Sequence, residues 1–92
     1  MNESFAAHNR QRERMLKVVN GVSSQLQEVT VRLACEMIQA NEFPVALDLL
    51  SEMLVKSAVA ISSETHREFR ELSEGFGLDL STWMRLGPLV HA

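Results

Sequence analysis

The sequence predicts an all-α protein, a single small domain of four to five short helices around one core. Ninety-two residues are the length of one domain, here taken as residues 1–92. The chain is 46% hydrophobic but only 5% aromatic, which is typical of an aliphatic core and not of a disordered chain. Its apolar residues recur at helical spacing, and its few β-branched clusters lie inside those helical patterns.

The N-terminal part of the chain predicts two helices. Residues 1–20 form a polar segment with a thin apolar side, and we expect a loosely packed, partly frayed helix there. Asn20 and Gly21 tolerate the left-handed backbone that ends helices. Ser23 and Ser24 are candidate N-caps for the second helix. The apolar stripe predicted for that helix is Val22, Leu26, Val29, Leu33, Met37 and Ile38.

Residues 41–80 contain the clearest helical pattern in the chain. Pro44 fits the first turn of the third helix, since its missing N–H would have no intrahelical partner there. Ser62 is a favourable N-cap for the fourth helix because its hydroxyl accepts from an orphan backbone N–H. A fifth short helix is predicted over residues 81–86. The third and fourth helices carry the apolar stripes Phe43, Leu47, Leu50 and Leu54, then Ile61, Thr65, Phe69, Leu72 and Phe76.

The net charge of -3 is unevenly distributed. Residues 1–32 carry five basic side chains against three acidic ones, whereas residues 33–92 carry four against nine. Such an acidic module favours basic protein surfaces over nucleic acid as a partner. Two helix faces are candidates for the contact, and the sequence leaves both open. Their carboxylates are Glu42, Asp48 and Glu52 on the third helix, and Glu64, Glu68, Glu71 and Glu74 on the fourth.

Side chains suited to catalysis or metal binding are scattered along the chain. The histidines His8, His66 and His91 lack the spacing of a zinc site, and His66 is expected to be a solvated surface residue. Acid–base catalysis requires a cleft that raises the pKa of one carboxylate, and a solvated helix face does not provide one. No glycine-rich phosphate loop is present. We therefore expect no enzymatic activity, no metal and no cofactor.

The chain has no segment that predicts export or membrane insertion. Charged residues occupy the N-terminal region where a signal peptide needs an apolar run, and no segment approaches ~20 consecutive apolar residues. Cys35 is the single cysteine, which excludes an internal disulfide, and we expect it to be a small buried apolar side chain. These features predict a cytoplasmic protein that does not contact a membrane.

Trp83 lies in the fifth predicted helix and has two interpretations. It is expected to close the open end of the core. A partner anchor is the alternative, since Trp is enriched among the residues that dominate binding energy at interfaces.

The basic cluster near the N-terminus suggests a second class of function, a small DNA-binding regulator. Its residues precede a turn and a helix, as in a helix-turn-helix. The recognition helix would be residues 25–34, where Arg32 is the only basic residue, whereas phosphate contacts normally require several cations. A generic helical interaction or dimerisation module is the third class. The basic cluster consists of Arg10, Arg12, Arg14 and Lys17.

Three segments together resemble the small helical immunity proteins of bacterial toxin systems, the MafI-type family and its relatives in contact-dependent growth inhibition. They read I-x-A-N-E-F-x-x-A-L-x-x-L (38–50), I-S-x-E-x-x-x-x-F-x-x-L (61–72) and G-L-D-x-S-x-W (77–83). The resemblance covers about half of the chain and depends on the order and spacing of the segments. Where the family commonly has Gly, this chain has Asn41, which also tolerates a left-handed backbone.

The resemblance implies a protein that binds and neutralises a cognate toxin, commonly a nuclease and in several cases an EndoU-type RNase. A nuclease site is cationic because it binds phosphates, so an acidic helical surface is suited to occlude it. Charge complementarity speeds encounter, and buried contacts slow release. On this interpretation the toxin-binding residues are the two acidic faces and Trp83. Occlusion of the active site and binding beside it both fit the sequence.

Overall fold

Five α-helices dominate the computed structural model, which describes the backbone of residues 3–91 and the side chains of residues 9–91. Two 3-10 turns, Ser23–Gln25 and Gly87–Leu89, and two short strands complete the described chain. The all-α prediction is confirmed. The helices are α1 Glu3–Val22, α2 Glu28–Gln39, α3 Phe43–Lys56, α4 Ser63–Gly75 and α5 Ser81–Met84; the strands are β1 Ile61–Ser62 and β2 Val90–His91.

Helix α1 is anchored in the core through its C-terminal half. Met15, Val18, Val19 and Val22 are all buried there. The helix continues past Asn20 and Gly21 and ends two residues later than the sequence suggests. The loose packing expected for residues 1–20 therefore does not describe the second half of this helix, because its thin apolar side faces the other helices directly.

The apolar stripe predicted for α2 is wrong for Val29 and Leu33. These two side chains are 62% and 43% exposed, while Thr30, Ala34 and Ile38 face the core. The helix begins at Glu28, after the 3-10 turn, and presents the small Ala34 to its neighbours. The small Ala34 side chain allows close approach of the neighbouring helices. With Ala34 facing the core, Val29 and Leu33 lie on the exposed side of α2.

Three helices end in the same backbone motif, with one residue in the left-handed region. Asn41 follows α2 with φ 61°, Ala58 follows α3 with φ 50°, and Gly77 follows α4 with φ 69°. At each end two backbone N–H groups bond back to the last turn, as when Glu42 N–H donates to the Met37 carbonyl at 2.8 Å. This is the Schellman pattern, which satisfies carbonyls that the helix leaves unpaired. The left-handed backbone expected at Asn41 is thus confirmed.

The predicted stripes of α3 and α4 form most of the remaining core. All four residues of the α3 stripe are buried, and so are Ile61, Phe69 and Leu72 of the α4 stripe, while Thr65 and Phe76 are partly buried. Ser62 caps α4 as expected, since its Oγ accepts from the Thr65 backbone N–H at 3.0 Å. Local sequence signals therefore located both helices correctly.

The C-terminal segment closes the molecule against α3 and β1. Strand β2 pairs in parallel with β1, so that Ile61 lies opposite Val90. The buried Ser51 on α3 joins α5 through its hydroxyl, which donates to the Thr82 carbonyl at 2.5 Å. Arg85 Nε donates to the same hydroxyl at 2.6 Å. These bonds hold α5 beside α3.

Candidate functional site

The acidic face of α4 is paired with basic side chains of α1 and of α4 itself. Glu68 accepts hydrogen bonds from Arg14 Nε at 3.3 Å and Nη2 at 3.1 Å. Glu64 lies 3.5 Å from Lys17 Nζ. The other two carboxylates are paired as well: Glu71 with Arg14 at 3.6 Å and Arg67 at 3.7 Å, and Glu74 with Arg70 at 3.6 Å.

This pairing makes the α4 face electrically balanced. Its four carboxylates, Glu64, Glu68, Glu71 and Glu74, face four cations, Arg14, Lys17, Arg67 and Arg70. A balanced surface exerts a weak long-range field on a basic partner. Each carboxylate would also have to exchange an existing partner in order to bind a new one.

The carboxylates of α3 are arranged differently. Asp48 lies 2.9 Å from Arg85 Nη2, on the flank of α3 that faces α5. Glu42 and Glu52 are exposed, and neither forms an ion pair with any residue among 9–91. These two side chains therefore need not give up an ion pair within the protein in order to bind a basic partner.

Two apolar side chains of α3, Val45 and Leu49, lie in the sequence between Glu42 and Glu52. Val45 is 52% exposed, and Leu49 is partly buried. With Val29 and Leu33 of α2, they form what we term the outer hairpin surface. Sequence reasoning missed this surface because it placed Val29 and Leu33 in the core. The available signal was that Val45 and Leu49 fall outside the predicted α3 stripe.

Trp83 is packed against the core and interacts with His66. The His66 and Trp83 rings lie 5.8 Å apart, and His66 Nε2 is 3.0 Å from the Trp83 carbonyl oxygen. The expectation that His66 is simply solvated is therefore wrong, because α5 folds back over α4 and covers it. The partly buried Trp83 ring agrees with its role in closing the core. Its Nε1 is buried and has no hydrogen-bond partner among the described residues.

A cleft of about 430 Å³ lies between α1 and the start of α4. Its lining includes Lys17, Asn20, Ser62 and Glu64, and the Lys17–Glu64 ion pair spans it. Within the described part of the chain, no three His, Cys, Asp or Glu side chains are grouped so that they could hold a metal ion. His8 lies outside the described side chains. The cleft therefore offers polar contacts, among them the Lys17 ammonium and the Glu64 carboxylate.

Asp79 lies two residues before the short helix α5 and bonds to its first residue. Its Oδ1 accepts from the Ser81 backbone N–H at 2.8 Å. The backbone and side-chain hydrogen bonds from Ser81 lower the pKa of this carboxyl, because they stabilise its charged form. This exposed carboxylate is therefore already hydrogen-bonded within the protein, unlike Glu42 and Glu52.

Comparison with known proteins returned no match to a family model, to a curated protein or to a solved structure. Among residues 3–91, no helix combines the length and the apolar character needed to cross a membrane.

Proposed function

We propose that this protein is a bacterial immunity protein that acts in the cytoplasm. It binds and neutralises a cognate toxin, a nuclease of the EndoU type or another RNase, by stoichiometric occlusion of the active site with an acidic helical surface. The sequence resemblance over residues 38–83 supports the class of protein. The observation that carries the mode of action is the pair of exposed, unpaired carboxylates, Glu42 at the N-cap of α3 and Glu52 within that helix.

The α3 face suits this function better than the α4 face. A nuclease active site presents cations to bind phosphates, and it is attracted by carboxylates that lack partners of their own. Glu42 and Glu52 meet this condition, and Asp48 adds a third carboxylate that is shared with Arg85. Three of the α4 carboxylates, Glu64, Glu68 and Glu71, pair with cations of α1 instead. We assign the toxin contact to α3, with Trp83 supporting the fold from within.

The DNA-binding alternative is disfavoured by the partners of the basic cluster. Arg12 Nη2 donates to Asn41 Oδ1 at 2.6 Å, and Arg14 and Lys17 pair with carboxylates of α4. Phosphate binding would require Arg14 and Lys17 to leave carboxylates, which carry the same sign of charge as DNA. A mobility-shift assay at physiological salt is expected to give no shifted band with this protein.

Co-expression with a toxin tests the proposal directly. The toxin is the nuclease-like C-terminal domain of the large secreted protein expected to be encoded directly upstream. We expect the protein to rescue cells and to inhibit the purified nuclease at a one-to-one ratio. Absence of both rescue and inhibition would refute the immunity function and would leave the generic interaction module as the favoured class.

Paired substitutions then identify the face. Glu42→Gln with Glu52→Gln is expected to slow association and to reduce its salt dependence, because rim charges act mainly on the association rate. Glu71→Gln with Glu74→Gln is the matched control, since it removes the same charge from α4. Equal effects of the two pairs would contradict the assignment to α3.

A further inference from the structure

We infer that the outer hairpin surface is a docking site for an apolar protein segment bordered by Lys and Arg. The surface consists of Val29 and Leu33 on α2 and Val45 and Leu49 on α3. The identification of the partner as a toxin rests on the proposed function. The chemistry of the partner, an apolar centre with a basic rim, is inferred from the structure alone.

Helix geometry directs the four side chains away from the core. At about 100° of rotation per residue, Val45 lies about 180° and Leu49 about 140° around α3 from the fully buried Leu54. By the same measure, Val29 lies about 140° and Leu33 about 100° around α2 from the fully buried Ala34. Val29, Leu33 and Val45 are therefore exposed, whereas Leu49 is partly buried and packs against the core at the inner edge of the surface.

The two helices bring these side chains to one side of the hairpin. α2 and α3 are joined by the tight turn at Asn41 and pack against each other more extensively than any other pair of helices. Helix α5 occupies the flank of α3 that carries Asp48 and Ser51. Helix α2 therefore packs on the opposite flank of α3, which carries Leu49. The exposed residues of both helices therefore border one apolar strip.

Unpaired carboxylates outnumber unpaired cations beside the strip. On α3, Lys56 is the one cation and lies on the same face, whereas on α2 Arg32 is paired with Glu28. Glu36 follows Leu33 on α2, and Glu42 and Glu52 flank Val45 and Leu49 on α3. All three are exposed and have no ion-pair partner among residues 9–91. A partner with an apolar centre and a basic rim would bury the strip and pair these carboxylates.

A second copy of the chain is a poorer occupant. Symmetric pairing of two hairpins would bring together two surfaces that each carry three unpaired carboxylates, Glu36, Glu42 and Glu52. Like charges brought together in this way oppose association. Charge complementarity thus favours a basic partner over self-association.

A designed peptide tests the surface independently of any toxin. The probe is an amphipathic helix of Leu and Lys, about four turns long. A peptide with Ser in place of each Leu keeps the charge, and a Leu–Glu peptide reverses it. We expect the Leu–Lys peptide to shift backbone amide resonances of α2 and α3, and both control peptides to bind at least about tenfold more weakly.

Matched variants localise the binding. Leu33→Ser with Val45→Ser is expected to weaken binding of the Leu–Lys peptide by about tenfold or more. Leu16→Ser with Val55→Ser is the control, because it removes exposed apolar side chains from elsewhere on the surface. Thermal unfolding of all variants verifies that they fold.

Three results would overturn the inference: resonance shifts centred on α4, unchanged peptide binding by Leu33→Ser with Val45→Ser, or a wild-type dimer in sedimentation that this double variant abolishes. The last result would identify a second copy as the occupant. Toxin neutralisation is measured separately, so failure of the immunity function and failure of the docking surface give different results.

Discussion

The Arg14–Glu68 ion pair offers the sharpest test of how α1 is held against the helices. Two guanidinium N–H groups donate to one carboxylate oxygen, and the Glu68 side chain is only 17% exposed. A fully exposed pair contributes roughly 0.2–1 kcal/mol, and a hydrogen bond to a charged group roughly 1.5–3 kcal/mol. Since Arg14 is 42% exposed, we expect Glu68→Gln to lower the free energy of unfolding by about 1 kcal/mol.

Thermal and urea unfolding measure this loss. In a domain of this size, about 1 kcal/mol corresponds to a decrease in Tm of roughly 4–8 °C. A double-mutant cycle with Arg14→Gln should give a coupling energy of about 0.5–1 kcal/mol that decreases at high salt.

Glu52→Gln is the control, since Glu52 has no ion-pair partner among the described residues, and it should change stability by less than about 0.5 kcal/mol. A coupling energy of zero between Arg14 and Glu68, or an equal loss from Glu52→Gln, would refute the argument that α4 carboxylates are engaged in ion pairs while Glu52 is not.

Three further predictions concern stability. Ser51→Ala should cost about 1–3 kcal/mol in urea unfolding, because it leaves the Thr82 carbonyl without its buried donor. Ala58→Gly should raise the free energy of unfolding by about 0.5–1 kcal/mol. The left-handed backbone costs an L-residue roughly 1–2 kcal/mol, and glycine avoids this cost, but its larger loss of backbone entropy on folding offsets part of the gain. Asp79→Ala should lower Tm near neutral pH. The folded-state pKa of Asp79 is depressed, so its stabilisation is present above the unfolded pKa of about 3.9 and is lost as pH falls through the lower folded value.

Each of these predictions has a matched control. Ser57→Ala alters an exposed serine and should change the free energy of unfolding by less than about 0.5 kcal/mol. A decrease equal to that of Ser51→Ala would show that the buried Ser51 hydrogen bond is not the cause of the Ser51→Ala effect. Ala60→Gly, at a position without positive φ, should destabilise, and a gain there would remove the backbone explanation for Ala58. For Asp79, Tm is recorded from about pH 6 to about pH 2, and a constant difference between wild type and Asp79→Ala would contradict the linkage.

The parts of the fold that were predicted correctly depend on neighbouring residues. The α3 stripe, the Ser62 cap and the left-handed Asn41 each involve residues within about one or two helical turns. Apolar periodicity and helix capping depend on residues within that range, so both can be predicted from the sequence.

The candidate site was less predictable because it depends on which helices meet. The sequence alone presented seven carboxylates on two faces as equivalent candidates. Distinguishing them required knowledge that Arg14 reaches Glu68, a residue 54 positions away, and that Arg85 reaches Asp48 across 37 positions. No local spacing encodes these pairs.

The sequence by itself therefore determined an all-α chain, the bounds of α4, the left-handed position Asn41 and the apolar residues of α3 and α4, but not the end of α1 or the start of α2. Only the tertiary structure decided which carboxylates are free, and that Val29 and Leu33 are outside while Thr30 and Ala34 are inside. The physical reason is that several apolar residues on α2 could have faced the core. Which of them are buried depends on how closely the neighbouring helices approach α2, and this distance is set by the packing of the whole molecule.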